Sequence, residues 1–182
     1  MTKFIDTLYP VLQAELYLGR SRDEVPAYVE ALCQTLVDMG WLHTTDAGFV
    51  IPSRETHAYV QLVLLANAAG ESLARYAVVL ELFEQSDALS RNNLDRFGEL
   101  VAIRLGARHG IDAPEFYDKK VFSVLIAMLK SEGYVSVDSS GAYTTDERTV
   151  ALSNELDKLL GSAIQMTIRE SAKRLLTEQT QP

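Results

Sequence analysis

Two short strings, Gly40-Trp41-Leu42 and Gly133-Tyr134-Val135, stand 93 residues apart, and each closes an amphipathic run. Glycine is the usual residue just past a helix end, because it takes a left-handed backbone without a Cβ clash. An aromatic and an aliphatic residue then open a short alternating segment, which reads as a β-hairpin. The correspondence extends upstream. At the same offset Tyr28, Val29, Leu32 and Leu36 fall on Val121, Phe122, Leu125 and Leu129. A helix stopped by glycine and followed by a small hairpin is the layout of a winged-helix-like unit. Two such strings with the same flanking elements predict a pseudo-repeat.

The remaining elements follow from caps and periodicity. A first helix is predicted over 8–18, capped by Thr7, with Pro10 in its first turn and Gly19 past its end. A second runs from Glu24 with Asp23 as cap, Pro26 early, and a stripe of Val25, Val29, Leu32, Leu36 and Met39. The hairpin over 41–51 turns at Asp46-Ala47-Gly48, and Pro52-Ser53 open a long helix to Gln85 that Gly70 kinks. The second half repeats the order. A helix covers 91–108, another covers 113–132 with Asp112 as cap and Glu115 in a capping box, and a hairpin over 134–144 turns at Ser139-Ser140-Gly141. A last helix spans 146–176. The fold class is mainly α with two small β-hairpins, in two winged-helix-like units, 1–86 and 87–182, each with a long trailing helix.

Of the 182 residues 47% are apolar, enough for a substantial core. One cysteine, Cys33, excludes a disulfide framework and a cysteine zinc site, suits a reducing compartment, and reads as a small buried hydrophobe. Met1-Thr2-Lys3-Phe4 leads into an ordinary amphipathic segment with no secretory pattern. The longest charge-free run, Thr56 to Gly70, contains His57, Gln61 and Asn67 and is too short to span a bilayer. It reads as a buried helix, with an interfacial helix as the alternative.

Net charge is −8, which opposes binding to nucleic-acid phosphates. The second helix carries Glu24, Glu30 and Asp38 and no base, the wrong sign for a groove-reading helix. Charge is uneven, however. Residues 88–131 hold seven bases against five acids, so that segment is +2 and the rest −10. Arg104 and Arg108 share a helix face, and Lys119 and Lys120 follow the next helix start. With His109 they form the candidate interaction residues, suited to an anionic lipid surface, an acidic protein surface or a glycerol-phosphate group. The alternative is a solvated face paired with Asp112, Glu115 and Asp118, and His109 near a helix end also complements the helix dipole. Trp41 and Tyr134 read as packing residues of their hairpins, and His43 and His57 as surface residues. No Gly-rich phosphate loop, Gly-x-Ser-x-Gly or His-Glu-x-x-His occurs, and neither a cofactor nor a metal is implied.

One string ties these elements to a family. Leu105 to Tyr134 reads LGARHGIDAPEFYDKKVFSVLIAMLKSEGY. With Leu8-Tyr9-Pro10, Leu12, Ala14-Glu15-Leu16, Arg75-Tyr76-Ala77, Ala113 to Lys119, and Val121-Phe122-Ser123, it resembles the C-terminal region of the long bacterial membrane-associated glycerol-3-phosphate acyltransferase. The likeness runs from Tyr9 to Ser171 and rests on the collinear order of these strings. It implies a parent that moves an acyl group from acyl-CoA or acyl carrier protein to the 1-hydroxyl of glycerol 3-phosphate, on the cytoplasmic side of the bacterial inner membrane. The family's catalytic signature is a histidine base with an aspartate five positions on. Five residues after His43, His57 and His109 stand Gly48, Leu62 and Pro114. The resemblance therefore implies a non-catalytic accessory region, soluble as an isolated chain, whose partners are the parent's catalytic domain and an anionic membrane surface. The alternative is a free-standing protein-binding adaptor or regulator. Whether the chain is a fragment or a whole gene product is left open by its sequence.

Overall fold

The computed structural model of the chain describes residues 7–13, 18–86 and 89–180. It is mainly helical with two small antiparallel sheets of two strands each. Helix α1 occupies residues 7–13, and Thr7, expected as its cap, already lies inside it. Its expected continuation over 14–17 falls outside the described residues. Helix α2, Val25–Asp38, has Pro26 in its first turn. Glu24 rather than Asp23 holds its cap position, and the Glu24 carboxylate folds back to accept from the Ser21 amide at 3.0 Å.

The first hairpin pairs β1, His43–Thr45, with β2, Gly48–Val50, around a two-residue turn. The long helix expected from Ser53 to Gln85 is two helices, α3 (His57–Ala68) and α4 (Gly70–Gln85), bent by 46° at Ala69. Thr56 begins α3 by accepting from the Tyr59 amide at 3.3 Å. The run expected to be a buried helix is not one. In α3, Val60, Val63, Leu64 and Leu65 are exposed, because only its end abuts α4. Cys33, expected to be buried, is half-exposed on α2.

In the second half α5 runs Arg91–His109 and stops at Gly110, whose φ of 69° supplies the left-handed turn. The next helix starts later than its sequence suggests. Pro114–Tyr117 forms a single 3₁₀ turn, and Asp118, not Asp112, caps α6 (Lys119–Ser131) by accepting from the Lys120 amide at 2.8 Å. The 3₁₀ turn drives Phe116 fully into the core and lays Tyr117 on α5, which a continuous α-helix from Ala113 would not do. Strands β3 (Val135–Val137) and β4 (Tyr143–Thr145) follow, their turn held by the Asp138 carboxylate, which accepts from the Ser140 and Ala142 amides. The last helix is also divided. Helix α7, Glu147–Asp157, has a capping box between Asp146 and Thr149, and α8 spans Ser162–Thr180. The break buries Leu160, and Gln165 donates back to its carbonyl at 2.7 Å.

One hydrophobic cluster holds the molecule together. It takes Leu8 and Val11 from α1, most of α4, the inner faces of α5, α6, α7 and α8, and Tyr134, Val135 and Tyr143 from the second hairpin. Helix α4 packs against α5, α6, α7 and α8, so a helix from the first half runs through the centre. Two glycines let α5 approach its neighbours. Phe122 of α6 lies on Gly98, and Tyr117 lies on Gly106. Burying side chains such as Phe122 and Leu125 contributes about 1.5–3 kcal/mol each. Among the described residues, α2, both strands of the first hairpin and α3 add no member to this cluster. Their links to the rest, among the described residues, include the contact of α3 with α4, the ion pair of Arg22 with Glu132 at 2.6 Å, and bonds from Tyr9 and Gln13 to the Arg20 carbonyl.

Candidate interaction surface

The basic residues singled out by sequence lie on two faces of α5. Arg104 and Arg108, one turn apart, face α8 and line a shallow groove of about 390 Å³ with Ala107, Glu170, Ser171 and Arg174. The Arg104 guanidinium donates to the Ser171 carbonyl at 3.4 Å, Arg108 pairs with Glu170 at 3.3 Å, and Arg174 pairs with Glu178 at 2.8 Å. The hydrogen bond from Arg174 holds the Glu178 carboxyl below the usual glutamate range, with the fields of Arg174 and Arg104 adding to it. The groove thus gathers three guanidinium groups against two carboxylates. All its ion pairs are solvent-exposed, so the arginines can exchange partners at small cost.

His109 closes the same seam. Its Nε2 lies 2.9 Å from the Thr167 hydroxyl, which itself donates to the Ala163 carbonyl at 3.0 Å. With the hydroxyl hydrogen engaged there, the imidazole Nε2 is the donor and the Thr167 oxygen the acceptor. This ties the last turn of α5 to α8.

Lys119 and Lys120 are elsewhere. They open α6, which packs on the face of α5 carrying Gly98 and Gly106. At 100° per residue that face is about 200° around the helix from Arg104. The structure therefore brings Arg104, Arg108 and His109 together along α8 and sets the two lysines on another side. A second depression, about 400 Å³, lies between, lined by Ile103, Gly106, Ala107, Gly110, Ile111, Asp112 and Tyr117.

Sequence reasoning missed Arg174 and Glu170, which complete the groove. They belong to a helix read only by its length, and nothing local marks them as facing α5. It also quoted Arg75 without seeing that it is buried. Arg75 donates to the Ser72 hydroxyl at 3.1 Å and lies 5.8 Å over the Phe116 ring. An arginine between Leu73-Ala74 and Tyr76-Ala77-Val78-Val79-Leu80 was the available signal. Asp95 is a second buried charge, accepting from the Ser123 hydroxyl at 2.8 Å. His43 and His57 are exposed, on β1 and at the start of α3. Tyr134 is buried under Arg148, whose guanidinium is 4.8 Å from the ring centre. No group of three or more His, Cys, Asp or Glu side chains capable of holding a metal occurs among the described residues.

Comparison with known proteins places this architecture. No solved structure matches it. The chain is similar to the glycerol-3-phosphate acyltransferase of Shewanella frigidimarina (strain NCIMB 400), 38% identical over 165 residues. That alignment covers 91% of the chain and 19% of the relative, so the chain spans about a fifth of the relative's length. A family profile described as the glycerol-3-phosphate acyltransferase C-terminal region matches residues 1–138. The basic groove, the buried Arg75 and the Tyr117–Gly106 contact thus sit in a chain that belongs to the family of glycerol-3-phosphate acyltransferase C-terminal regions.

Proposed function

We propose that this chain is a non-catalytic accessory region of a glycerol-3-phosphate 1-O-acyltransferase. Its parent would transfer an acyl group from acyl-CoA or acyl carrier protein to glycerol 3-phosphate, the first step of phospholipid synthesis. The observation that carries the reading is the family match joined to the histidines. None has an aspartate five positions on, two are exposed, and the third is bonded to a threonine of α8. A general base for the acceptor hydroxyl needs an orienting carboxylate within reach, and no histidine here has that spacing. In this reading the region braces the catalytic domain or docks it at the cytoplasmic face of the inner membrane, with Arg104, Arg108 and His109 on one side and Lys119 and Lys120 on another as the candidate contact residues.

The finer architecture belongs to the same proposal. We read residues 1–86 and 87–182 as two winged-helix-like units related by pseudo-repeat. The order helix, glycine, hairpin, helix, helix in each half supports this reading. No helix among the described residues is by itself long and apolar enough to cross a membrane. Only α3 with α4 passes by length as a bent pair, and most of α4 is buried in protein. The second reading, a protein-binding adaptor, draws on the apolar exposure of α2 and α3.

Incubating the chain with glycerol 3-phosphate and palmitoyl-CoA tests the proposal. No lysophosphatidate is expected above a heat-killed control, and turnover would overturn the accessory role. The size of the native polypeptide separates the two readings, since an adaptor would end at these boundaries.

A further inference from the structure

Helices α2 and α6 end in the same way. The Trp41 amide donates to the Leu36 carbonyl at 2.8 Å, and the Tyr134 amide to the Leu129 carbonyl at 2.8 Å. The glycines between them have φ of 73° and 74°. The apolar stripes upstream occupy corresponding positions, yet their surroundings differ. In α6 the stripe is covered by α5, and Phe122, Leu125 and Leu129 are fully buried. In α2 the corresponding Leu32 is 44% exposed, and Val29 and Leu36 are only half-buried. Helix α2 therefore carries a helix-packing stripe that no helix among the described residues covers as α5 covers α6.

Helix α3 sharpens the point. It has no Asp, Glu, Lys or Arg, and its polar residues are only His57, Gln61 and Asn67 besides Tyr59. Such a helix belongs in a core or a membrane rather than in water. Here Leu64 is 65% exposed and Leu65 55%. Leu32 and Met39 of α2 and Ile51 at the end of the hairpin are exposed as well, so this segment shows water more large apolar side chains than a packed core helix does, as interaction sites do.

The charges around this surface identify what covers it. Residues 21–70 hold six acids (Asp23, Glu24, Glu30, Asp38, Asp46, Glu55) and two bases (Arg22, Arg54). An anionic lipid surface repels that rim, and α3 offers no lysine or arginine for headgroups. A second copy of the unit would set its carboxylates against their own kind. A protein partner with a basic rim suits it. The Shewanella relative has four-fifths of its length outside the matched region, where such a surface can lie.

We propose that α2 and α3 form the seat for a helix of the acyltransferase's catalytic portion, packed on α2 as α5 packs on α6 and flanked by lysine and arginine. This rests on the reading above that the region is part of an acyltransferase. It assigns the protein–protein contact to the acidic apolar unit, leaving the basic groove of α5 and α8 for anionic ligands. The partner helix would meet Val29 where α5 meets Phe122. Because valine is the smaller residue, it needs no glycine recess like Gly98.

Amide hydrogen exchange tests this in an acyltransferase polypeptide that carries residues 1–182 as its C-terminal region, compared with the chain alone. Amides of α2 and α3 should be protected at least about tenfold more in the longer polypeptide, as expected of a buried, well-packed contact. Leu32→Asp with Leu64→Asp should abolish that extra protection while leaving protection in α5 and α6 unchanged, which shows that the fold survives. Equal exchange with and without the catalytic portion overturns the proposal. So does protection that appears only on adding anionic vesicles, or a dimer of the isolated chain that the two substitutions dissolve. Exchange does not depend on turnover, so activity in the isolated chain would sink the accessory reading and leave this test standing.

Discussion

The hydroxyl end of the Tyr117 ring lies against Gly106, so close that a Cβ there would come within 2.6 Å of Tyr117 Cε1. The Tyr117 hydroxyl donates to the Ile111 carbonyl, so one side chain fastens the 3₁₀ turn both to α5 and to the loop leaving it. Gly106→Ala should therefore expel Tyr117 and destabilise the chain by about 1–3 kcal/mol through overpacking. Urea denaturation measures it. A variant as stable as the wild type would show that Tyr117 can move aside freely.

Corresponding positions in α2 and α6 should respond differently to the same substitution. Leu125→Ala removes a buried side chain from the α5–α6 contact and should cost about 2–5 kcal/mol. Leu32→Ala, at the matching position of α2, should change the isolated chain by about 0.5 kcal/mol or less. Equal losses would mean that α2 is packed in solution as α6 is.

Glu81 gives a pH signature of known sign. It is half-buried on α4 beside Gln85, Glu84, Arg169 and Asp157, and burial pushes its carboxyl above the ordinary glutamate value of 4.5. The hydrogen bond from Gln85 and the ion pair with Arg169 at 3.5 Å act the other way without cancelling it. The folded state thus keeps this proton to higher pH than the unfolded state. The group's contribution is fully present below 4.5 and is lost as pH rises through the raised pKa. Stability of the wild type relative to Glu81→Gln should fall over that window and then level off. A difference that rises with pH would mean that Arg169 outweighs burial.

Because Arg104 and Arg108 lie on a different face from Lys119 and Lys120, the two pairs should act separately. In vesicles of anionic lipid at low salt, Arg104→Glu with Arg108→Glu should weaken binding on the order of tenfold, since pairing with Glu170 reduces the usual ~1 kcal/mol per base. Lys119→Glu with Lys120→Glu should weaken it less, since Asp118 beside them already offsets part of their charge. Unchanged affinity in both variants would reduce the groove to a solvated face.

Helix and hairpin positions were legible wherever a local signal stood alone. Gly40, Gly110 and Gly133 end their helices as read, with positive φ at each. Asp46-Ala47 and Ser139-Ser140-Gly141 turn their hairpins. The misreadings came where a longer-range demand overrode a local pattern. Asp112-Ala113-Pro114-Glu115 looks like a capped start, but burial of Phe116 and the seat of Tyr117 on Gly106 delay the helix to Asp118. Of the two breaks in strong helical periodicity, the one at Ala69 follows the kink read at Gly70, whereas the one at 158–161 is marked only by Gly161 and precedes the packing of α8 on α4 and α5. The exposure of α3 was hidden because apolar composition says that a helix wants cover, not where the cover comes from. The groove was half legible for the same reason. Two of its arginines share one turn of α5, and the third arrives on a helix 66 residues later.

The bend at Ala69 sets how the first unit meets anything else. Helix α4 is packed on several sides, whereas the 12-residue α3 leaves it at 46° and leads back to the first hairpin. At 1.5 Å per residue α3 is about 18 Å long, so a change of about 10° at the joint swings its tip by about 3 Å. The hydrophobic cluster would not register the movement, since α3 contributes nothing to it. Any adjustment of that one angle would therefore reposition α3 without repacking a core.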